Sequence, residues 1–224
     1  MKVLIAIASC NRDSKNGYNQ TVRDTWLSGH NVDYKFFLGA GSAEPKSDEV
    51  ILPCPDDYLS LPYKTLEILK WALSNGYDYV YKCDTDTFVM LERLLSSGFE
   101  EYDYVGTFNE KLGKPNVVYG TLFSWASGGS GYWLSKKAAE VIIANGVNEK
   151  AVCPRLRIPC EDLWVGQLLG PGIQSAAIKA WDNPRYGKSF SADYITDISS
   201  HYCSEGMHRK FDVSWMIKHY NTNK

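Results

Sequence analysis

The sequence has no long apolar run. Its first apolar stretch, Val3 to Ala8, ends at Ser9, far short of the ~20 residues a membrane helix needs. No membrane span is expected. The run follows a basic start but lacks the length and cleavage site of a secretory leader, so it reads as a buried first strand. Charge of one sign is also missing: 24 Lys and Arg against 26 Asp and Glu leave a net charge of −2, which gives no electrostatic footprint for nucleic acid or an anionic membrane. The six cysteines, Cys10, Cys54, Cys83, Cys153, Cys160 and Cys203, contain no C-x-x-C pair. That signals neither a zinc ribbon nor a disulfide scaffold and favours reduced thiols and a cytoplasmic location. Neither a repeat nor a low-complexity linker interrupts the 224 residues, so a single domain is expected.

Aromatic residues are what the chain has in quantity, with 7 Trp, 15 Tyr and 8 Phe. Tyr and Trp suit sites where one edge packs and the other hydrogen-bonds, which fits sugar binding as well as a Tyr-rich core. In the first half, Val3–Ala8, Tyr34–Leu38, Val50–Leu52 and Tyr77–Lys82 read as strands, alternating with helices at Thr21–Leu27 and Pro62–Asn75. The second half gives strand candidates at Tyr104–Thr107, Val117–Phe123 and Tyr132–Leu134. Helices follow at Lys136–Asn145, capped by Ser135 and stopped by Gly146, and from Glu161 to Gly170. The tail from Asp182 onward reads as polar loop. This alternation predicts an open α/β sheet with its ligand beyond the carboxyl ends of the strands, in the loops after Ala8 and Lys82.

Four segments carry candidate chemistry. Asp84-Thr85-Asp86 follows an apolar strand; if the chain stays extended, alternation points both carboxylates the same way and Thr85 the other. Paired carboxylates at a strand end make a hard oxygen site for Mg²⁺ or Mn²⁺ that could bridge a diphosphate, although about three acidic-x-acidic pairs arise by chance in such a composition. Ser127-Gly128-Gly129-Ser130-Gly131 allows close backbone approach and serves either as the wall of a sugar pocket, with Trp125 beside it to stack on sugar, or as a plain tight turn. Glu161 and Asp162 open a helix. They are either capping residues or a carboxylate placed to take the proton of an attacking hydroxyl. His201 is either structural or a softer metal ligand favouring Mn²⁺.

In order along the chain, Val22-Arg23-Asp24-Thr25-Trp26, Leu61-Pro62-Tyr63-Lys64-Thr65, Lys82 to Val89, Ser127 to Ser135, Glu161 to Gly166 and Ser200-His201-Tyr202 resemble six motifs of the β1,3-galactosyltransferase and fringe group, especially its core 1 galactosyltransferase-like members. The resemblance implies a GT-A fold: one nucleotide-binding, Rossmann-like sheet with helices on both faces. Residues 1–110 would form the nucleotide-sugar half and 111–224 the acceptor half. It also implies a UDP-sugar donor, a divalent metal held by Asp86 and His201 with Asp84 assisting or touching the ribose, and Asp162 as base with inversion at the anomeric carbon. Thr85 departs from the family's middle Asp and bears on the donor sugar. In brevity and missing anchor the chain is similar to the soluble glycosyltransferases of large algal viruses, for which retention is an alternative outcome.

The expected activity is therefore metal-dependent transfer of a hexose-type sugar to a hydroxyl of a glycan or glycoprotein. Ser9, Asn11 and Arg12 are expected at the nucleotide. Arg23 and Lys64 are candidates there or members of structural ion pairs. Gly128, Gly129 and Glu161 are assigned with Trp125 to the acceptor or sugar pocket. Two other readings remain: a nucleotidyltransferase making a sugar nucleotide, and a noncatalytic glycan-binding module.

Overall fold

The computed structural model describes residues 1–41, 44–106, 125–154, 156–169, 180–182, 199–201 and 213–222. Its first strand, β1 (Val3–Ala8), is followed by two short helices, α1 (Asn11–Lys15) and α2 (Tyr18–Asp24), and then by β2 (Tyr34–Leu38) and β3 (Glu49–Ile51). α3 (Leu61–Ser74) leads into β4 (Tyr79–Asp84), the short β5 (Thr87–Val89) and α4 (Leu91–Leu95). Beyond these come β6 (Tyr104–Gly106), β7 (Tyr132–Ser135), α5 (Lys136–Asn145), α6 (Glu161–Leu169), β8 (Ala180–Asp182), β9 (Ser199–His201) and α7 (Val213–Thr222).

Seven strands form one mixed sheet in the order β3-β2-β1-β4-β7-β6-β8, and β5 pairs with β9 in a separate ribbon. β3, β2, β1 and β4 are parallel, whereas β7 runs antiparallel to both of its neighbours. Because side chains alternate across a strand, β1 feeds two cores at once. Leu4, Ala6 and Ala8 join the cluster that includes Leu69 of α3, Ala139 of α5 and Trp164 of α6. Ile5 and Ile7 pack on the opposite face with Val22 of α2, Leu94 of α4 and Met216 of α7. Helices thus cover both faces, the α/β arrangement expected from the sequence.

Local signals account for the best-read elements. Pro62 lies in the first turn of α3, where its missing N–H costs nothing. The hydroxyl of Ser135 accepts the Ala138 N–H at the start of α5, and Gly146 ends it at φ 62°.

Other bounds differ from the sequence reading for physical reasons. The second helix is Tyr18–Asp24 rather than Thr21–Leu27, because Trp26 and Leu27 are buried from the turn that follows the helix. β4 runs from Tyr79 through Asp84 instead of stopping at Lys82, whose charge is neutralised inside the protein. β3 begins one residue earlier than expected. α1 buries no residue, so no apolar periodicity announces it. The tail from Asp182 onward is not all loop: it contributes β9 and α7, and β8 ends at its first residue. The expected strand Val117–Phe123 lies outside the described residues.

Candidate active site

Ala8 of β1 and Asp84 of β4 are partners in register, so these strands end side by side. From β1 the chain passes to β2 and β3 on one side, while β4 lies on the other. This is the switch point at which an open sheet leaves a crevice beyond its strand ends. A cavity of about 500 Å³ occupies it, lined on one wall by Ser9, Arg12 and Asp13 and on another by Asp84, Thr85 and Asp86. Asp56, Asp57, Tyr58 and Lys64 are also among its lining residues. Five carboxylates therefore face two cationic side chains.

Both of those cations are already paired, Arg12 with Asp13 Oδ1 at 3.0 Å and Lys64 with Asp56. Lys64, only 2% exposed, donates from Nζ to the Ser9 carbonyl (2.6 Å) and to Asp56 Oδ1 (2.7 Å). Asp56 also accepts the Gly39 N–H on Oδ1 (2.6 Å) and the Asn11 N–H on Oδ2 (2.6 Å). The Lys64–Asp56 pair thus ties α3 to the loops after β1 and β2. Asn11 holds this loop through its backbone rather than lining the cavity. Ser9 Oγ donates to Asn19 Oδ1 (2.6 Å), Asn19 Nδ2 donates to Glu49 Oε1 (3.1 Å), and Arg23 donates to both Glu49 (2.8 Å) and Asp48 (2.7 and 2.8 Å). Arg23 lies over the Phe36 ring, 4.6 Å from its centroid, away from the cavity lining. Its connection to the cleft runs through Glu49 and Asn19 to Ser9.

The Asp84-Thr85-Asp86 segment departs from the expected alternation because β4 ends at Asp84, and Thr85 and Asp86 form a turn. All three residues line the cavity. Thr85 Oγ1 donates to Asp13 Oδ2 (2.9 Å), bringing a carboxylate from α1 to the middle of the motif. Asp84 Oδ1 accepts from Lys82 Nζ (2.8 Å). Thr87, the next residue after Asp86, pairs with His201 in the β5–β9 ribbon. The backbone of His201 is therefore beside the motif; its side chain lies outside the described residues. Among the described residues, no three His, Cys, Asp or Glu side chains converge closely enough to hold a metal. The oxygen donors of Asp84 and Asp86 nevertheless match the chemistry of a hard divalent cation.

Glu161 and Asp162 do not line this cavity. Glu161 is buried and accepts from Thr65 Oγ1 (3.1 Å), Lys82 Nζ (3.4 Å) and the Tyr132 hydroxyl. Lys82, 1% exposed, thereby links Asp84 to the start of α6. Burial raises the Glu161 carboxyl, while Lys82 opposes the rise. Half-buried Asp162 is also raised by burial, against hydrogen bonds from the Gly128 N–H (3.2 Å) and the Leu163 N–H (2.8 Å). The glycine segment packs on protein: a Cβ at Gly128 would meet Glu161 Oε2 at 2.8 Å, and Gly131, at φ +82°, lies against the Tyr81 hydroxyl. The Gly129 carbonyl accepts from Thr87 Oγ1 (2.6 Å). Its tight-turn role is visible in the Gly131 N–H to Gly128 carbonyl bond (3.2 Å). Trp125 is 2% exposed and packs with Cys153 and Leu163, so its ring is not presented for sugar stacking.

Sequence reasoning missed Asp13, Asp56 and Lys82. Asp13 stands in the short helix just beyond β1 and Asp56 in the loop after β3, both near strand ends where ligands are expected, and Lys82 is a lone cation among apolar strand residues. Those were the available signals.

Residues 19–103 match the Galactosyltransferase family. Hydroxyproline O-galactosyltransferase GALT2 of Arabidopsis thaliana is 27% identical over 196 residues, which cover 74% of this chain and 29% of that protein. The match thus spans less than a third of that relative's length. A solved glycosyltransferase involved in the glycosylation of the major capsid of PBCV-1 aligns with a TM-score of 0.59 at 14% identity, over 99% of this chain and 100% of that one. A197 from STIV aligns more distantly, at a TM-score of 0.40 and 12% identity over 82% of this chain and 96% of that one. The family match runs from α2 through the Asp84-Thr85-Asp86 turn, over less than half of the chain, and the chain shares its α/β fold, of GT-A type, with the PBCV-1 glycosyltransferase.

Proposed function

We propose that the chain is a glycosyltransferase that takes a hexose-type sugar from a UDP-sugar and passes it to a hydroxyl of a glycan or glycoprotein, with Mn²⁺ or Mg²⁺ required. The observation that carries this reading is the acidic cleft at the tips of β1 and β4, where five carboxylates face Arg12 and Lys64, each already paired with an aspartate. A diphosphate meets repulsion from such a lining unless a cation accompanies it. Asp84 and Asp86 would hold the metal, joined by His201 from β9. Bound there, a divalent cation supplies charge neutralisation for the departing diphosphate.

The chain's own groups take the remaining parts. Arg12, on the cleft wall, adds positive charge at the diphosphate, and the Ser9 loop is fixed beneath it by Lys64. Asp162 accepts the proton of the acceptor hydroxyl as the new bond to the anomeric carbon forms and the bond to UDP breaks. Lys82 and Glu161 orient the start of its helix.

Thermal melting tests the reading with UDP, with and without Mn²⁺, on the wild type and Asp86→Ala. A ligand that binds the native state raises the melting temperature, so a manganese-dependent rise that disappears in the variant is expected. Equal, metal-independent stabilisation of both proteins would overturn the role given to Asp86. UDP release with acceptor, rather than pyrophosphate release from a nucleoside triphosphate, separates this activity from nucleotidyl transfer; sugar binding with neither product would identify a noncatalytic module.

A further inference from the structure

We propose that Asp13 is a specificity residue of the donor cleft, accepting a hydrogen bond from a sugar hydroxyl of the nucleotide sugar. The proposal rests on reading the cleft as the donor site. Asp13 belongs to α1, directly beyond β1, and its side chain is 13% exposed on the cavity wall. Two neighbours fix its carboxylate. Thr85 Oγ1 donates to Oδ2 at 2.9 Å, and Arg12 donates to Oδ1 from Nε and Nη2, each at 3.0 Å. A carboxylate offers about four acceptor positions, so Oδ2 keeps capacity for a ligand after Thr85 has bonded.

Charge decides what that ligand group is. A phosphate oxygen is excluded by repulsion, which leaves a neutral hydrogen-bond donor or a cation. The divalent cation is assigned to Asp84 and Asp86, and Asp13 already carries the Arg12 guanidinium on Oδ1, so its remaining acceptor capacity is given to the neutral donor. Its position then selects the chemistry. Asp13 is bonded to the middle residue of the Asp84-Thr85-Asp86 turn, where the diphosphate is placed, and the groups flanking that diphosphate are sugars on both sides. The nucleobase is one ring farther away. The partner is therefore a hydroxyl, supplied either by the ribose or by the transferred sugar.

Calorimetric titration with Mn²⁺ present distinguishes the two sources, using UDP, 2′-deoxy-UDP, 3′-deoxy-UDP and UDP-galactose on wild type, Asp13→Ala and Thr85→Val. A hydrogen bond to a charged acceptor predicts that wild type binds UDP about tenfold or more tightly than one deoxy analogue if the ribose is the source, or UDP-galactose more tightly than UDP by a similar factor if the hexose is. Asp13→Ala is expected to erase that preference, and Thr85→Val, which frees the carboxylate to rotate, to reduce it. A wild-type preference retained in Asp13→Ala overturns the proposal, as does equal weakening of all four ligands or a weaker affinity for Mn²⁺ alone. If wild type binds none of the four with Mn²⁺, the donor-site reading itself falls. Both variants are compared by thermal melting without ligand, and discrimination is read as a ratio within each protein, so a change in stability alone does not mimic the effect.

Discussion

Lys82 shows how much one buried charge can organise. Burial alone would lower its proton affinity, but Asp84 and Glu161 outweigh that cost and hold it as the ammonium. Lys82→Met would leave Glu161 buried without its counter-charge, a loss of about 3–5 kcal/mol in unfolding free energy by denaturant titration. Asp162 gives a second prediction, read in the rate. A base works in its deprotonated form, so its upward shift by burial places the acid limb of kcat/KM above the range of an ordinary aspartate, with activity falling as the pH drops through it. Asp162→Asn is expected to bind UDP normally and to turn over slower by orders of magnitude; near-normal turnover would remove it from the mechanism. Asp162 could be picked out from the Glu161 to Gly166 motif, whereas the pairing of Lys82 with Glu161 could not, because the two lie 79 residues apart in sequence.

The glycine segment between Ser127 and Tyr132 was legible as a turn, but what it turns against was not. The close approach that its lack of side chains permits is to Tyr81, Glu161 and Asp162. Gly131→Ala combines a positive φ with a collision at the Tyr81 hydroxyl, and a destabilisation of at least ~1–3 kcal/mol is expected in equilibrium unfolding. The pairing of α2 with the start of β3 makes a pH prediction. Burial disfavours the ionised forms of Asp48 and Glu49, yet hydrogen bonds from Arg23 more than compensate and lower both pKa values. Their contribution to stability is therefore present above the ordinary carboxylate range and lost as the pH falls through the lowered values. Wild type should lose more stability than Arg23→Met between pH 5 and acid, as followed by urea midpoints. Longer helices announced themselves, α3 through Pro62 in its first turn and α5 through the Ser135 cap and Gly146; α1, with no buried side chain, and α7, in a polar tail, did not.

Across the whole molecule, the parallel half was readable because each strand is a short apolar run bounded by turns. The location of the cleft followed from that half alone, since it needs only the ends of β1 and β4. The late strands were not readable: Ala180–Asp182 and Ser199–His201 are three residues each and gain their partners, β6 and β5, only through the tertiary fold. For the assembled site, a chelator should abolish turnover and added Mn²⁺ restore it; turnover that survives exhaustive chelation would contradict the acidic-cleft argument.

The β5–β9 ribbon joins residues 87–89 to residues 199–201, a separation of roughly half the chain. During synthesis on the ribosome, the aspartate turn emerges long before the histidine that faces its neighbouring strand. Any nascent protein halted in between could lay down the parallel strands and still be without the ribbon, so completion of this corner waits until residues 199–201 have also emerged.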